Sequence, residues 1–286
     1  MRVLHLDSGR ELRGGQWQVL RLIEGLAALG IESKLLARDK SPLFQSACAR
    51  GWNVGALGLL KALDGRRYDL VHAHDARAHT LAAIIGGPPL VVSRRVAFPL
   101  KSRWKYGKAA RYIAVSEAVK SVLIAGGVEE RRITVVYDGV PLLEPGRGTA
   151  IVSPQKGAEM ASEAARKAGE EIRISGDLET DLVHAGIFVY VTECEGLGSG
   201  VLLAMSAGVP VIASDVGGLR EIIEHERNGL LVRNDAGAFA AAIGRLRAEP
   251  AFAARLGTAA RQTVMQRFTS GRMAALTLEV YRQVLR

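Results

Sequence analysis

Short apolar stretches that alternate with helical periodicity, first in one half of the chain and then in the other, confine this sequence to an α/β fold. Val3–Leu6, Ser33–Ala37, Asp69–His74, Leu90–Ser93, Tyr112–Val115 and Ile133–Val136 read as short buried strands. A helix is predicted over Gln16–Leu29, where Trp17, Leu20, Leu26 and Ala27 fall on one face and Gly30 supplies the stop. Apolar strands separated by helices mean βα units and a parallel sheet. At Tyr137–Gly148 the sequence turns to YDGVPLLEPGRG, a Gly- and Pro-rich stretch that predicts a linker. The alternation then restarts. Strands are expected at Ile172–Ser175, Ile187–Thr192, Val209–Ser214 and Leu230–Val232. Helices are expected at Ala158–Ala168, Val201–Ala207 and Leu219–His225, and the tail from Ala236 onward is helical in pattern. Two α/β domains, 1–143 and 144–286, are therefore expected on either side of one hinge, with the last helix able to pack back on the first domain.

Composition narrows the class. With 48% hydrophobic and 23% charged residues, the 286-residue chain is neither disordered nor a disulfide scaffold. Two cysteines, Cys48 and Cys194, cannot form a structural zinc site alone and suit a reducing cytosol. The opening MRVLHLDSGR does not read as a secretory signal, and no apolar run approaches the roughly 20 residues of a membrane-spanning helix. A cytoplasmic protein, peripheral on the inner face of the cell membrane, is expected.

The net charge of +9 is unevenly placed. Residues 1–140 hold 22 Lys/Arg and 12 Asp/Glu, a balance of +10, whereas 141–286 hold 16 and 17, a balance of −1. Within 76–116 lie Arg77, Arg94, Arg95, Lys101, Arg103, Lys105, Lys108 and Arg111 with no acid, interleaved with Phe98, Trp104, Tyr106 and Tyr112. Such asymmetry points to an anionic partner, and apolar residues mixed with Lys/Arg suit an anionic membrane surface. The alternative is a solvated basic helix with two aromatics turned into the core. Nucleic-acid binding would also use a basic half, but no recognised binding motif accompanies it.

The stretch Thr192–Gly218 carries the most chemistry. A buried strand ends at Thr192, and a loop with Gly196, Gly198 and Gly200 leads into a helix near Val201. Glycines there let backbone amides approach a ligand, and the helix N-terminus adds partial positive charge. A phosphate-bearing ligand suits that place at the carboxyl end of a parallel strand. Glu195 at the mouth of the loop offers a carboxylate to sugar hydroxyls. A second loop, Asp215–Gly218, enters the next helix in the same way, and the two loops are expected to face one crevice. Two tight turns without a ligand are the plainer alternative. His72, His74, Asp75 and His79 could be read as metal ligands, since alternation puts His72 and His74 on one strand face. No Cys or acidic cluster joins them, so no metal is expected, and His72 and His5 are read as core histidines.

EGLGSGVLLAMSAGVPVIASDVGGLREII, followed by Asn228-Gly229-Leu230, resembles the donor-site signature of the family-4 glycosyltransferases (glycosyl transferases group 1). RGGQW at Arg13–Trp17, DLVHAHD at Asp69–Asp75, IAVSE at Ile113–Glu117 and VVYDGVP at Val135–Pro141 extend the resemblance in the right order over most of the chain. It implies the GT-B architecture, two Rossmann-like domains facing across a cleft, and transfer with retention. It also implies a UDP- or GDP-sugar donor on the C-terminal domain, an acceptor on the N-terminal domain, and neither metal nor cofactor. Residue by residue, Gly14 and Gly15 resemble the flexible loop beside the transferred sugar, and His74 the histidine near its reacting carbon. Lys156 resembles the lysine that neutralises the diphosphate, and Glu195 the first of the paired glutamates. Gly196, Leu197, Gly198, Ser199 and Gly200 complete the donor loop. Arg94, Arg95, Lys101, Arg103, Trp104, Lys105 and Lys108 would face the membrane or acceptor. A cell-envelope acceptor, lipid-linked or of lipopolysaccharide type, is expected.

Three departures accompany the match. Leu203 stands eight residues beyond Glu195, where the pattern has its second glutamate; no arginine occurs in Ala150–Gln155; and 38 residues separate Lys156 from Glu195, short of another strand–helix unit. These raise a second reading, a catalytically silent GT-B-like protein that binds a membrane or partner. A dinucleotide-dependent oxidoreductase is the weakest reading, because Leu6–Trp17 lacks G-x-G-x-x-G.

Overall fold

The computed structural model describes residues 1–100 and 104–286. They form two compact units, Met1–Asp138 with Ser270–Arg286, and Gly139–Thr269. The first junction lies inside the predicted linker. At the second, the chain returns to the first unit for its final helix, Ser270–Leu285.

The first unit is built on seven parallel strands: β1 Arg2–Asp7, β2 Glu32–Ala37, β3 Val54–Ala56, β4 Leu70–Ala73, β5 Leu90–Arg94, β6 Arg111–Ala114 and β7 Ile133–Val135. Their order is β3-β2-β1-β4-β5-β6-β7, so the direction of winding reverses between β1 and β4. All four residues of β4 and five of the six in β1 are buried, as a parallel sheet covered on both faces requires. On one face Val3, Leu70, Val91 and Ile113 pack with Leu22 and Leu26 of helix Gly14–Ala28 and with Met273, Leu278 and Tyr281 of the terminal helix.

The second unit holds β8 Ala150–Pro154, β9 Ile172–Ser175, β10 Ala185–Tyr190, β11 Val211–Ser214 and β12 Leu230–Val232, in the order β12-β11-β10-β8-β9. Its reversal lies between β8 and β10. Ile151, Val189, Ile212 and Leu230 of the sheet pack against Ala161 and Ala164 of helix Ala158–Lys167 and Phe239 and Ile243 of helix Ala236–Ala248.

Two strands escaped the sequence reading. β3 is three residues long, and β8 offers only Ile151 and Val152 as strongly apolar residues before Pro154 ends it. Yet β8 is an inner strand, hydrogen-bonded to both β9 and β10. The helix expected at Leu219–His225 is a single turn, Leu219–Ile222. Asn228 replaces its continuation, accepting from the Glu224 amide and donating to the Ile222 carbonyl. Among the described residues no helix is long and apolar enough to cross a membrane.

Helices Gly14–Ala28 and Ser270–Leu285 meet at Gly25, where an added Cβ would stand 2.6 Å from the Ala274 Cβ. Gly25→Ala should therefore lower stability by about 1–3 kcal/mol despite the better helix propensity of alanine. Denaturant melts of the two proteins measure this; equal or greater stability of the variant would contradict the close approach.

Candidate functional site

Ligands of doubly wound sheets sit beyond the carboxyl ends of the strands where the winding reverses. Lys156 and Glu195 in the second unit and His74 in the first lie beside those reversals.

In the second unit Lys156 follows β8 and Glu195 follows β10, the two strands that flank the reversal. The Lys156 ammonium donates to Glu195 Oε2 at 2.9 Å and to the Cys194 carbonyl at 3.3 Å. Tyr190, the last residue of β10, donates its hydroxyl to the same Oε2 at 2.6 Å, while the Gly196 amide donates to Oε1 at 3.0 Å. The carboxylate is thus fixed by three donors. Burial, then the charge of Glu195, pushes the Tyr190 phenol well above its ordinary range, so it remains a donor. Helix Ser199–Ser206 begins after Gly198 with no side-chain cap, leaving first-turn amides for an anionic group.

The glycines divide into two kinds. Gly198 has φ +104°, a conformation that favours glycine at the helix entry. Gly218 serves packing instead: a Cβ there would overlap the Gly196 carbonyl oxygen, and its amide donates to the Glu195 carbonyl. The two glycine-rich loops therefore lie against each other. Leu197 is a core residue, not a ligand-facing side chain. Leu203 is also buried, 7% exposed, in helix Ser199–Ser206. Sequence reasoning missed Tyr190, Ser214 and Asn234. Ser214 accepts from the Thr192 amide and Asn234 donates to the Thr192 carbonyl, which pins the start of the loop. Their position at the ends of neighbouring strands was the available signal.

In the first unit the reversal lies between β1 and β4, and three histidines meet there. The parallel register sets His5 opposite His72, and His74 follows two residues later on the same face. His5 Nδ1 and His74 Nε2 are 2.9 Å apart. His72 Nδ1 meets the Tyr281 hydroxyl at 2.6 Å and its Nε2 the Ser93 hydroxyl at 2.8 Å. Asp75 caps helix Ala76–Ile85 through the Arg77 and Ala78 amides and also accepts from the Ser8 hydroxyl, which fixes the chain just after His74. His79 is not part of the cluster: its Nε2 bonds the Lys105 carbonyl. The metal pattern considered over His72, His74 and His79 is thus not assembled, and His5 takes the third place, with nitrogens of the three rings within 4.8 Å of one another. Both His72 nitrogens and one each of His5 and His74 are engaged in hydrogen bonds, and among the described residues no carboxylate or thiolate joins the set. A cation there would have to break those bonds.

Gly14 and Gly15, expected in a loop, instead form the first turn of helix Gly14–Ala28, whose N-terminus has no side-chain cap. Beside the cluster, a cleft of about 370 Å³ lined by Ser8, Arg38, Asp39, Leu57 and Arg77 opens at the carboxyl ends of β1, β2 and β3.

The basic segment needs correction. Arg95 is not a surface group: its side chain is 12% exposed and paired with Asp138 at 3.2 Å. Arg94 donates to the Phe98 carbonyl, and Lys105 donates to the Ala76 carbonyl and Thr80 hydroxyl. Tyr106 and Tyr112 are buried, whereas Phe98 and Trp104 are 60% and 53% exposed and Lys108 is exposed. Lys101 and Arg103 lie outside the described residues.

Two family models match in sequence, Glycosyltransferase Family 4 over 12–142 and Glycosyl transferases group 1 over 119–249. Between them these two glycosyltransferase models span residues 12–249. A solved structure of Anabaena Alr3699/HepE, in complex with UDP and glucose, superposes with TM-score 0.86 over 99% of this chain and 100% of that one, at 17% identity. The fold is therefore GT-B. The alpha-maltose-1-phosphate synthase of Mycobacterium tuberculosis is 39% identical over 116 residues, covering 38% of this chain and 30% of that protein. The D-inositol 3-phosphate glycosyltransferase of Streptomyces bingchenggensis is 34% identical over 103 residues, covering 36% and 22%. The chain thus matches less than a third of the length of either relative.

Burial is the first cause that holds these histidines neutral. The His5 pKa falls to about 3 and that of His79 to about 4, and His72 and His74 lie well below the ordinary value, with neighbouring charges adding to the effect. The unfolded chain protonates its histidines near pH 6.5, so acidification favours the unfolded state. Stability should be flat above about pH 7.5 and fall below 6.5, each such histidine removing about 1.4 kcal/mol by pH 5.5. Urea melts across this range measure the fall; a flat profile down to about pH 5 would contradict buried neutral rings.

Proposed function

We propose that this protein is a glycosyltransferase that moves a sugar, with retention, from a nucleotide-diphosphate donor to an anionic cell-envelope acceptor. The observation that carries the reading is the convergence of Lys156, Glu195 and the uncapped first turn of helix Ser199–Ser206 at the carboxyl ends of β8 and β10. Departure of the sugar places negative charge on the diphosphate. Aimed amides stabilise that charge without reorganising, because they are already in place, and a lysine adds its own positive charge. Glu195, held by Tyr190, keeps an oxygen for the hydroxyls of the donor sugar. Lys156 bonds that same carboxylate, so it would turn from Glu195 toward the diphosphate as the donor arrives. In the transfer itself, the bond from the anomeric carbon to the diphosphate oxygen breaks. The acceptor oxygen bonds that carbon on the same face, and its proton passes to the departing diphosphate.

UDP is the favoured nucleotide, since the structurally similar Anabaena protein binds UDP and glucose. No metal or cofactor is required in this reading, because lysine and amides supply the positive charge. On the acceptor side, Arg38 and Arg77 in the cleft beside Asp75 suit a phosphate or carboxylate. Exposed Phe98 and Trp104 with Lys108 suit peripheral contact with an anionic membrane face.

Buried Leu203, with no carboxylate to offer ribose, favours the second reading, a catalytically silent GT-B protein. Calorimetric titration with UDP, GDP and their glucose and N-acetylglucosamine conjugates, followed by turnover assays, separates the two. Lys156→Ala should weaken nucleotide binding by about 1.5–3 kcal/mol, roughly 10- to 100-fold. No binding of any of these, or equal binding by the variant, would reject the donor site. For the membrane, sedimentation with vesicles containing phosphatidylglycerol should weaken with added salt and on Trp104→Ser with Lys108→Glu, by about 1 kcal/mol for a lost basic charge. Indifference to both would discard the membrane contact.

A further inference from the structure

The three donors that hold the Glu195 carboxylate differ in what they are tied to. The Gly196 amide belongs to the same loop as Glu195, so it cannot tie the carboxylate to anything else. Lys156 lies on the loop after β8, on a side chain that is 53% exposed. Of the three, only Tyr190 stands on a strand, as the last residue of β10. That strand is an inner one, paired to both β8 and β11, with Tyr190 in register with Ala213. The phenol reaches across the loop to Glu195 Oε2 at 2.6 Å, so this one bond ties the carboxylate to the sheet.

The ring of Tyr190 is confined. Phe188 stacks beside it with 6.2 Å between centroids, and a Cβ at Gly200 would stand 3.6 Å from its Cε2. The residue is buried, so it meets a ligand only through Glu195. Burial also keeps the phenol protonated, and therefore neutral. Neutrality matters here. The Lys156 ammonium is a half-exposed cation for which any anionic ligand competes, whereas a phenol carries no charge to be drawn away. A carboxylate oxygen has two lone-pair sites, and on Oε2 these are taken by Lys156 and Tyr190. Departure of the lysine therefore frees one site on Oε2 while the tyrosine retains the other.

We propose that Tyr190 is a positioning residue: its hydroxyl keeps Glu195 aimed after Lys156 has left the carboxylate. Through Glu195 it sets affinity for the sugar portion of the donor and not for the nucleotide. The sugar half of this statement rests on the function proposed above; the aiming of Glu195 does not. A tyrosine that served packing alone would be replaced without loss by phenylalanine, which has the same ring.

The test begins on the full chain without ligand, with NMR side-chain couplings that report the χ1 rotamers of Glu195. Lys156→Ala reproduces the departure of the lysine, and in it Glu195 should keep one rotamer. When Tyr190→Phe is added to Lys156→Ala, Glu195 should average among rotamers. Averaging in Lys156→Ala alone, or a single rotamer in the double variant, overturns the proposal. Calorimetry then compares UDP with UDP-glucose, or with whichever sugar nucleotide the panel identifies. Tyr190→Phe alone should bind the bare nucleotide as before and the sugar nucleotide about tenfold more weakly, the size of one hydrogen bond. Glu195→Ala should lose at least as much for the sugar nucleotide, and adding Tyr190→Phe to it should cost nothing further. Equal loss for both ligands marks a purely structural tyrosine and rejects the sugar role, as does an additive loss. If no nucleotide binds, the couplings still decide whether Tyr190 aims Glu195, and that failure falls on the proposed function alone.

Discussion

The parallel pairing of β1 with β4 is the constraint on which the first unit depends. It is the line where the sheet reverses its winding, and its register places His5 against His72 and brings His74 to the strand end. A slip of one residue would send the histidines to the opposite face and leave their nitrogens among aliphatic side chains. Burial on both faces forbids such a slip, because Val3 and Leu70 must meet the helices that cover the sheet. Packing thus fixes the register, and the register fixes the polar cluster.

The polar cluster in turn draws the C-terminal helix into the first unit's chemistry. Tyr281 is fully buried in the same core as Val3 and Leu22, and its hydroxyl reaches His72. The aromatic body serves packing and the hydroxyl satisfies a buried imidazole, the two uses tyrosine combines well. The last segment of the chain is therefore part of the support for residues near its beginning.

The second unit solves a related problem with charge. Glu195 sits where a carboxylate would be costly without partners, and Tyr190, Lys156 and the Gly196 amide supply them. Two of these donors are fixed by the end of β10 and by the backbone, while the half-exposed lysine side chain is free to turn. The carboxylate is thus oriented by fixed donors, while its cation sits on a half-exposed side chain. Gly218 contributes by letting the second loop lie directly on the first.

Alternation of apolar strands and helices determined the two α/β units, since buried strands and amphipathic helices have periods that the residues must spell out locally. The glycine-rich loops, Glu195 and His74 stood out for the same reason, at strand ends marked in sequence, whereas Lys156 follows the unmarked β8 and was named only through the family resemblance. What sequence could not fix was anything set by pairing between distant segments. β8 was too short and too weakly apolar to stand out, though its neighbours make it an inner strand. Arg95 and Lys105 read as surface charges because charge patterning says nothing of partners such as Asp138 and the Ala76 carbonyl. His5 read as a core histidine, and only the register against His72 revealed that it bonds His74. Local periodicity is written along the chain, whereas register, burial of a charge and the choice of a hydrogen-bond partner are decided where strands far apart in sequence meet.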